Sequence, residues 1–128
     1  DQLRIGTVLL EISQTRQPCW KLNHRFGVQD MALLVQQSLR TGFYCRVLNP
    51  GILMVGDAIK LVARPHPNWS LRRFLILLYQ NTLDVDSLND ALNLPLVPTN
   101  RKLIENRLFS NCVEDWSGRI KTPESIDG

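Results

Sequence analysis

The sequence predicts an α+β fold, with a strand-rich first half and a small group of three helices in the second half. Two observations indicate this fold. Aliphatic and β-branched runs recur through the first 64 residues, and apolar residues recur every three to four positions after about residue 70. Pro65 and Pro67 separate the two patterns. We therefore expect a β-rich part over 1–65, a three-helix domain over 70–120 and a loose tail over 121–128.

Four segments of the first half have the composition of strands. They are the short run 3–5, the run 7–13 after Gly6, the run 43–48 before the turn signal Asn49-Pro50-Gly51, and the partly alternating run 58–64. One helix is predicted between the second and third strands, from Asp30 to Leu39. Asp30 is its expected N-cap, and Gly42 lies shortly past its end.

Three helices are predicted in the second half. Ser70 can cap the first, which runs to about Gln80 and is apolar on most sides, so it must be mostly buried. The second covers about 86–93 and the third about 99–110. One stripe of the third helix consists of Leu103, Ile104, Arg107 and Leu108.

Composition excludes several classes of protein. The chain has 128 residues, of which 44% are hydrophobic, enough for the core of one ordinary domain or two very small ones. No apolar run approaches the ~20 residues that span a bilayer. Asp1, Arg4 and Glu11 interrupt any signal-like segment, so a cytoplasmic protein is expected. Three irregularly spaced cysteines argue against a disulfide framework and a paired-cysteine metal site.

Cys19 is the main candidate for chemistry, because it lies in a basic loop after the second predicted strand. Pro18 fixes the backbone beside the thiol, and Trp20 offers a planar apolar wall. Nearby cations favour the thiolate, the form that binds metals and attacks electrophiles. The alternative is a small buried hydrophobe, which is the usual state of a free cysteine. The basic residues within six positions of Cys19 are Arg16, Lys21 and Arg25.

The surrounding residues allow weaker hypotheses. The first 64 residues hold eight Lys and Arg against four Asp and Glu, a charge that could attract a phosphate-bearing ligand. Asn23 either orients the loop through side-chain hydrogen bonds or is an ordinary turn residue. Cys45 alternates along a strand, which favours a core position. His24 and His66 could join a cysteine in a zinc site, but their spacing matches no common pattern.

Several motifs together resemble one known family. They are S-Q-T-R-Q-P-C-W-K-L at 13–22, T-G-F-Y-C-R-V-L-N-P-G at 41–51, G-D-A-I-K-L-V at 56–62 and E-D-W-S-G-R at 114–119. In this order and spacing they are similar to the second half of the MOSC domain, named after the C-terminal domain of molybdenum cofactor sulfurases. The YiiM-like branch, in which a small three-helix domain follows the barrel, is the better match.

The resemblance implies a fold, a cofactor and an activity. The fold would be part of a bent MOSC-like β-barrel followed by a small three-helix domain. MOSC domains hold a molybdenum–pyranopterin cofactor or handle the sulfur destined for one, and Cys19 matches the essential cysteine that binds the metal. YiiM-like proteins reduce N-hydroxylated compounds, including hydroxylamino purine analogues, to amines. The candidates for holding the cofactor are Arg16, Lys21, Asn23 and Arg25, with Cys19 as both catalytic residue and metal ligand.

Two departures from the family bear on this expectation. Thr15 stands where related chains usually have proline, which would loosen the loop. The family's upstream stretch, rich in Gly and carrying His and Tyr, has no match here. We therefore expect these residues to hold the metal-binding thiol and only part of the pocket, so that they would be inactive alone.

The resemblance also implies partners. They are a small-molecule substrate and an external electron donor of the reductase or ferredoxin/flavodoxin type. Membrane and nucleic-acid partners are not expected, nor is pyridoxal phosphate. Open strand edges would favour pairing with a second copy, so a homodimer is an open alternative.

Two other functions remain as alternatives. Cys19 could carry a persulfide as a sulfur carrier. The three helices could also form a helix-turn-helix-type binding module, with Arg101, Lys102 and Arg107 on the last helix. That module is disfavoured because its half of the chain is net acidic and Arg107 shares the apolar stripe.

Overall fold

A computed structural model describes residues 1–124 of the chain. The predicted tail at 121–128 therefore lies partly outside the described residues. The strands are β1 (Gln2–Ile5), β2 (Val8–Thr15), β3 (Phe43–Asn49) and β4 (Ile59–Ala63). The helices are α1 (Lys21–Phe26), α2 (Met31–Ser38), α3 (Leu71–Tyr79), α4 (Val85–Ala91), α5 (Pro98–Ser110) and α6 (Ser117–Ile120).

The four strands form an antiparallel sheet in the order β3-β2-β1-β4. The sheet is not closed among the described residues, and irregular pairing in β2 at Leu9/Leu10 and Ile12/Gln14 interrupts its register. Such irregularities bend a strand and increase its twist. The α+β prediction is confirmed.

A tight turn joins β1 to β2, because Ile5 and Val8 pair across only two residues. Gly6 adopts a φ of 56°, in the left-handed region that favours glycine. A side chain at this position would also collide with the backbone carbonyl of Ile52. The break that Gly6 makes in the sequence pattern thus has a steric cause.

The edge strands β3 and β4 carry many exposed apolar side chains. Val47 is 59% exposed and Ile59 is 66% exposed. Cys45 is the only residue of β3 that is not exposed, although it is only half-buried rather than in the core. Burial raises the pKa of its thiol, so Cys45 stays protonated at neutral pH.

The predicted helices of the second half are present and pack on one another. Ser70 caps α3 by accepting a hydrogen bond from the Arg73 amide at 3.0 Å, as expected. Asp84 caps α4, one residue before the helix begins. The buried cluster that α3, α4 and α5 share consists of Phe74, Leu77, Leu78, Leu88, Ala91 and Ile104.

Arg107 seals one end of this cluster. Its side chain is 1% exposed and donates hydrogen bonds to the carbonyls of Leu77 at 3.1 Å and Leu78 at 2.9 Å. It also forms a two-point ion pair with Glu114, at 2.6 and 2.9 Å. The last carbonyls of a helix lack hydrogen-bond donors within the helix. Here the Arg107 guanidinium provides donors for two of them. A buried arginine cannot contact DNA. Arg107 is therefore not available as one of the three basic residues that the helix-turn-helix alternative needs.

The Glu114 ion pair predicts a pH effect on stability. Partial burial opposes ionisation of Glu114, but hydrogen bonds from Arg107 and Trp116 outweigh it and lower the pKa from its ordinary value of 4.5. A group with a lowered folded pKa stabilises the protein above the unfolded pKa, and loses this contribution as pH falls through the folded pKa. The free energy of unfolding in urea should therefore be larger for wild type than for Glu114→Gln at neutral pH. This difference should shrink below about pH 4.5. A difference that is constant down to pH 3 would contradict this.

Candidate functional site

Cys19 lies between the end of β2 and the start of α1. It is a free, half-buried thiol, and the preceding Pro18 is fully buried. The Cys19 carbonyl accepts a hydrogen bond from the Leu22 amide at 3.0 Å, which connects the loop to the first turn of α1. The thiol is therefore held on a fixed backbone while part of its surface remains accessible.

The sequence pattern does not predict the helix α1. The pattern indicates a loop as far as Arg25, but the loop ends at Trp20 and a six-residue helix follows it. So short a helix shows no apolar periodicity, and Gly27 ends it in a left-handed conformation. The helix matters for the site because it decides where Lys21 and Arg25 lie.

The three predicted basic residues are all exposed. Arg16, Lys21 and Arg25 form no ion pair within the described 124 residues. Lys21 and Arg25 are four positions apart on α1, so they lie on the same face of that helix. The Arg16 amide donates to the Gly42 carbonyl at 3.0 Å, which connects the start of the loop to the entry of β3. Their role toward a cofactor stays a prediction.

Asn23 is buried, with 4% exposure, and its side chain joins three segments. Oδ1 accepts from the Ala32 amide at 2.7 Å, and Nδ2 donates to the Ile120 carbonyl at 2.9 Å and to Thr122 Oγ1 at 3.4 Å. Asn23 therefore orients the region of the loop through its side chain and is not an ordinary turn residue. Both donors of its amide are used inside the protein, so a cofactor contact here would have to replace one of these bonds.

Asn23 also takes over a role expected of Asp30. Asp30 does precede α2 as predicted, but its side chain makes no capping hydrogen bond. The first amides of a helix need acceptors from outside it. One of them, from Ala32, is satisfied by Asn23 of the preceding helix instead.

Arg119 approaches the Cys19 loop from far along the chain. Its guanidinium donates to the carbonyl of Pro18, 101 positions away in sequence. In the sequence it is only the last residue of the E-D-W-S-G-R motif, and nothing in that motif indicates a contact with the thiol loop. Arg119 is a member of the site that sequence reasoning missed.

A cavity of about 450 Å³ opens beside the end of β2. Its walls include Thr15, Trp69, Phe74 and Asn100. The Thr15 hydroxyl is buried and has no hydrogen-bond partner among the described residues. Thr15 precedes Cys19 by four positions, so their Cα atoms are at most about 14 Å apart. The cavity falls within the usual volume range of small-molecule sites.

Two further properties of residues 1–124 bear on the hypotheses above. No group of three or more His, Cys, Asp and Glu side chains in that range could hold a metal ion, so the zinc hypothesis gains no support. None of the helices in the same range is long and apolar enough to cross a membrane.

Residues 1–60 match the model of the MOSC domain. The MOSC resemblance is confirmed. The MOSC match covers Cys19 itself, as well as β2 and α1, which flank the thiol loop. Cys19 therefore lies within the recognised family segment, although this match by itself assigns no role to any single residue.

Curated relatives of this chain include proteins from a bacterium and a fungus. Protein YiiM of Escherichia coli (strain K12) is 28% identical over 121 residues, which are 94% of this chain and 54% of YiiM. A protein named Reductase from Gibberella moniliformis is 33% identical over 103 residues, 80% of this chain and 18% of that protein. The chain thus spans about half or less of the length of these relatives.

The solved structure of YiiM from Escherichia coli has the same fold as this chain. It superimposes with a TM-score of 0.88 at 28% identity, over 95% of this chain and 61% of that one. YiiM from Geobacillus stearothermophilus superimposes with a TM-score of 0.80 at 29% identity, over 84% of this chain and 56% of that one. The shared region extends beyond the MOSC match into the helices of the second half, because it covers far more than 60 residues.

Proposed function

We propose that this chain carries the metal-binding part of a molybdenum-cofactor-dependent reductase that converts N-hydroxylated compounds to amines. Cys19 is the proposed protein ligand of molybdenum. The observation that supports the proposal best is a free, half-buried thiol on a fixed loop inside the MOSC match. The fungal relative named Reductase and the similarity to YiiM support the reaction class.

The chemistry of the donor suits the metal. A thiolate is a soft ligand, and Cys19 is not consumed in a disulfide. When bound, the cofactor supplies the two-electron removal of oxygen: the N–O bond breaks, two electrons and two protons enter, and amine and water leave. The electrons come from an external donor of the reductase or ferredoxin/flavodoxin type.

The protein would contribute binding and orientation. Arg16, Lys21 and Arg25 are exposed cations within six positions of Cys19 in the sequence, and they would bind the cofactor's phosphate through charge-assisted hydrogen bonds. Asn23 would act through the loop, whose position its hydrogen bonds maintain. The cavity beside Thr15 would accommodate the small-molecule substrate.

Metal analysis of protein made in a host that synthesises the cofactor tests the role of Cys19. We expect molybdenum in the wild type and its loss in Cys19→Ala, because the alanine variant lacks the soft ligand. Cys112→Ala is the matched control, since Cys112 is also a free cysteine but is exposed and follows α5. It should retain molybdenum.

Two results would contradict the proposal. Equal molybdenum in wild type and Cys19→Ala would show that the thiol does not hold the metal. A cyanide-labile sulfur on Cys19 in protein that contains no molybdenum would instead indicate a sulfur carrier that uses a persulfide.

A further inference from the structure

Arg119 contacts both sides of Cys19. Its guanidinium donates through Nη1 to the Pro18 carbonyl, and its own backbone carbonyl accepts from the Trp20 amide at 2.7 Å. The first bond holds the peptide plane that precedes Cys19, and the second holds the plane that follows it. Because peptide groups are planar, hydrogen bonds to both planes restrict φ and ψ of Cys19 and hence the direction of its Cα–Cβ bond.

The guanidinium is itself held by residues of two other helices. Nη2 donates to Gln36 Oε1 of α2 at 2.7 Å, and Gln36 is only 2% exposed. The guanidinium carbon lies 5.8 Å from the ring centroid of Tyr79 at the end of α3, within the range of a cation–π contact. Arg119 therefore connects the thiol loop to α2 and α3 through one planar group.

The backbone around Arg119 is held independently of its side chain. The Ile120 carbonyl accepts from Asn23 at 2.9 Å, which connects the end of α6 to α1. At the start of α6, the Trp116 ring packs edge-on against Tyr79, with centroids 5.4 Å apart. A substitution of Arg119 therefore leaves α6 attached and removes mainly the bonds to Pro18 and Gln36.

We infer that Arg119 is a positioning residue that directs the Cys19 thiol by holding the two peptide groups on either side of it. The inference deepens the proposed function, on which it rests for the meaning of Cys19, but the geometry requires arginine for its own reason. The planar guanidinium has separate N–H donors in fixed directions, and here they reach two acceptors, the Pro18 carbonyl and Gln36 Oε1. The compact ammonium of lysine does not reproduce that arrangement.

The reactivity of Cys19 in the full chain measures this role without any cofactor. Alkylation by iodoacetamide would be followed by mass spectrometry, with the rate at Cys19 and the rate at Cys112 measured in the same sample. In Arg119→Ala and Arg119→Lys we expect the Cys19 rate to change about tenfold while the Cys112 rate stays the same. Methylguanidinium, at concentrations too low to unfold the protein, should move the Arg119→Ala rate back toward wild type.

Arg101→Lys is the matched control for loss of stability. Arg101 also bridges two backbone carbonyls, those of Leu92 and Leu94, each at 3.1 Å, but neither carbonyl belongs to the Cys19 loop. The inference is overturned if the Cys19 rate in Arg119→Lys stays within about twofold of wild type, or if Arg101→Lys changes it equally. Altered Cys19 reactivity without molybdenum binding would support Arg119 while rejecting the metal role of Cys19.

Discussion

Arg107→Ala is expected to destabilise the chain by about 2–5 kcal/mol, the usual cost of truncating a large buried side chain that satisfies buried polar groups. The change removes the two hydrogen bonds to the end of α3 and the two to Glu114. It leaves buried carbonyls without partners and opens a cavity beside Leu77 and Leu78, which are 2% and 1% exposed. Urea unfolding followed by circular dichroism measures the loss.

Lys102→Ala on the same helix is the matched control for Arg107→Ala. Lys102 also carries a positive charge on α5 but is exposed, so its removal should change the free energy of unfolding by less than about 0.5 kcal/mol. Equal effects of the two substitutions would show that Arg107 acts through net charge alone. That result would contradict the role assigned to its buried hydrogen bonds.

Asn23→Ala is expected to cost about 2–3 kcal/mol, because it leaves the Ala32 amide and the Ile120 carbonyl without their partner in a buried region. The loss should be accompanied by faster hydrogen exchange at the Ala32 amide. Asn23→Asp separates the contribution of the amide oxygen from that of the amide nitrogen. It retains an acceptor for the Ala32 amide but loses the donor to the Ile120 carbonyl. Its Ala32 amide should therefore stay protected, while its stability still falls.

An exposed asparagine provides the control for Asn23. Asn106 lies on the solvent side of α5, and Asn106→Ala should unfold at nearly the same urea concentration as wild type. If Asn23→Ala behaves like Asn106→Ala, the hydrogen bonds of Asn23 do not hold α1, α2 and the end of α6 together.

Local patterns in the sequence predict the regular elements well where the elements are long. The aliphatic run of β2, the apolar α3 with its Ser70 cap and the stripe of α5 all appear in the structure close to the predicted bounds. Their signals arise from periodicity and capping, which depend only on residues within about four positions of one another. The motif around Cys19 is equally local, and together with the motifs at 41–51, 56–62 and 114–119 it indicates the MOSC family.

The tertiary structure alone decided which polar residues hold the thiol loop. Asn23 reaches Ile120 across 97 positions, and Arg119 reaches Pro18 across 101, so no local pattern could pair them. Arg107 shares its stripe with apolar residues, but only the packed helices show which carbonyls it satisfies. The sequence by itself indicated the strands and the longer helices, and it singled out Cys19 as the candidate for chemistry. Only the tertiary structure shows how the Cys19 loop is held. The hydrogen bonds that hold it join residues about 100 positions apart, and their distance in sequence does not indicate that they are close in space.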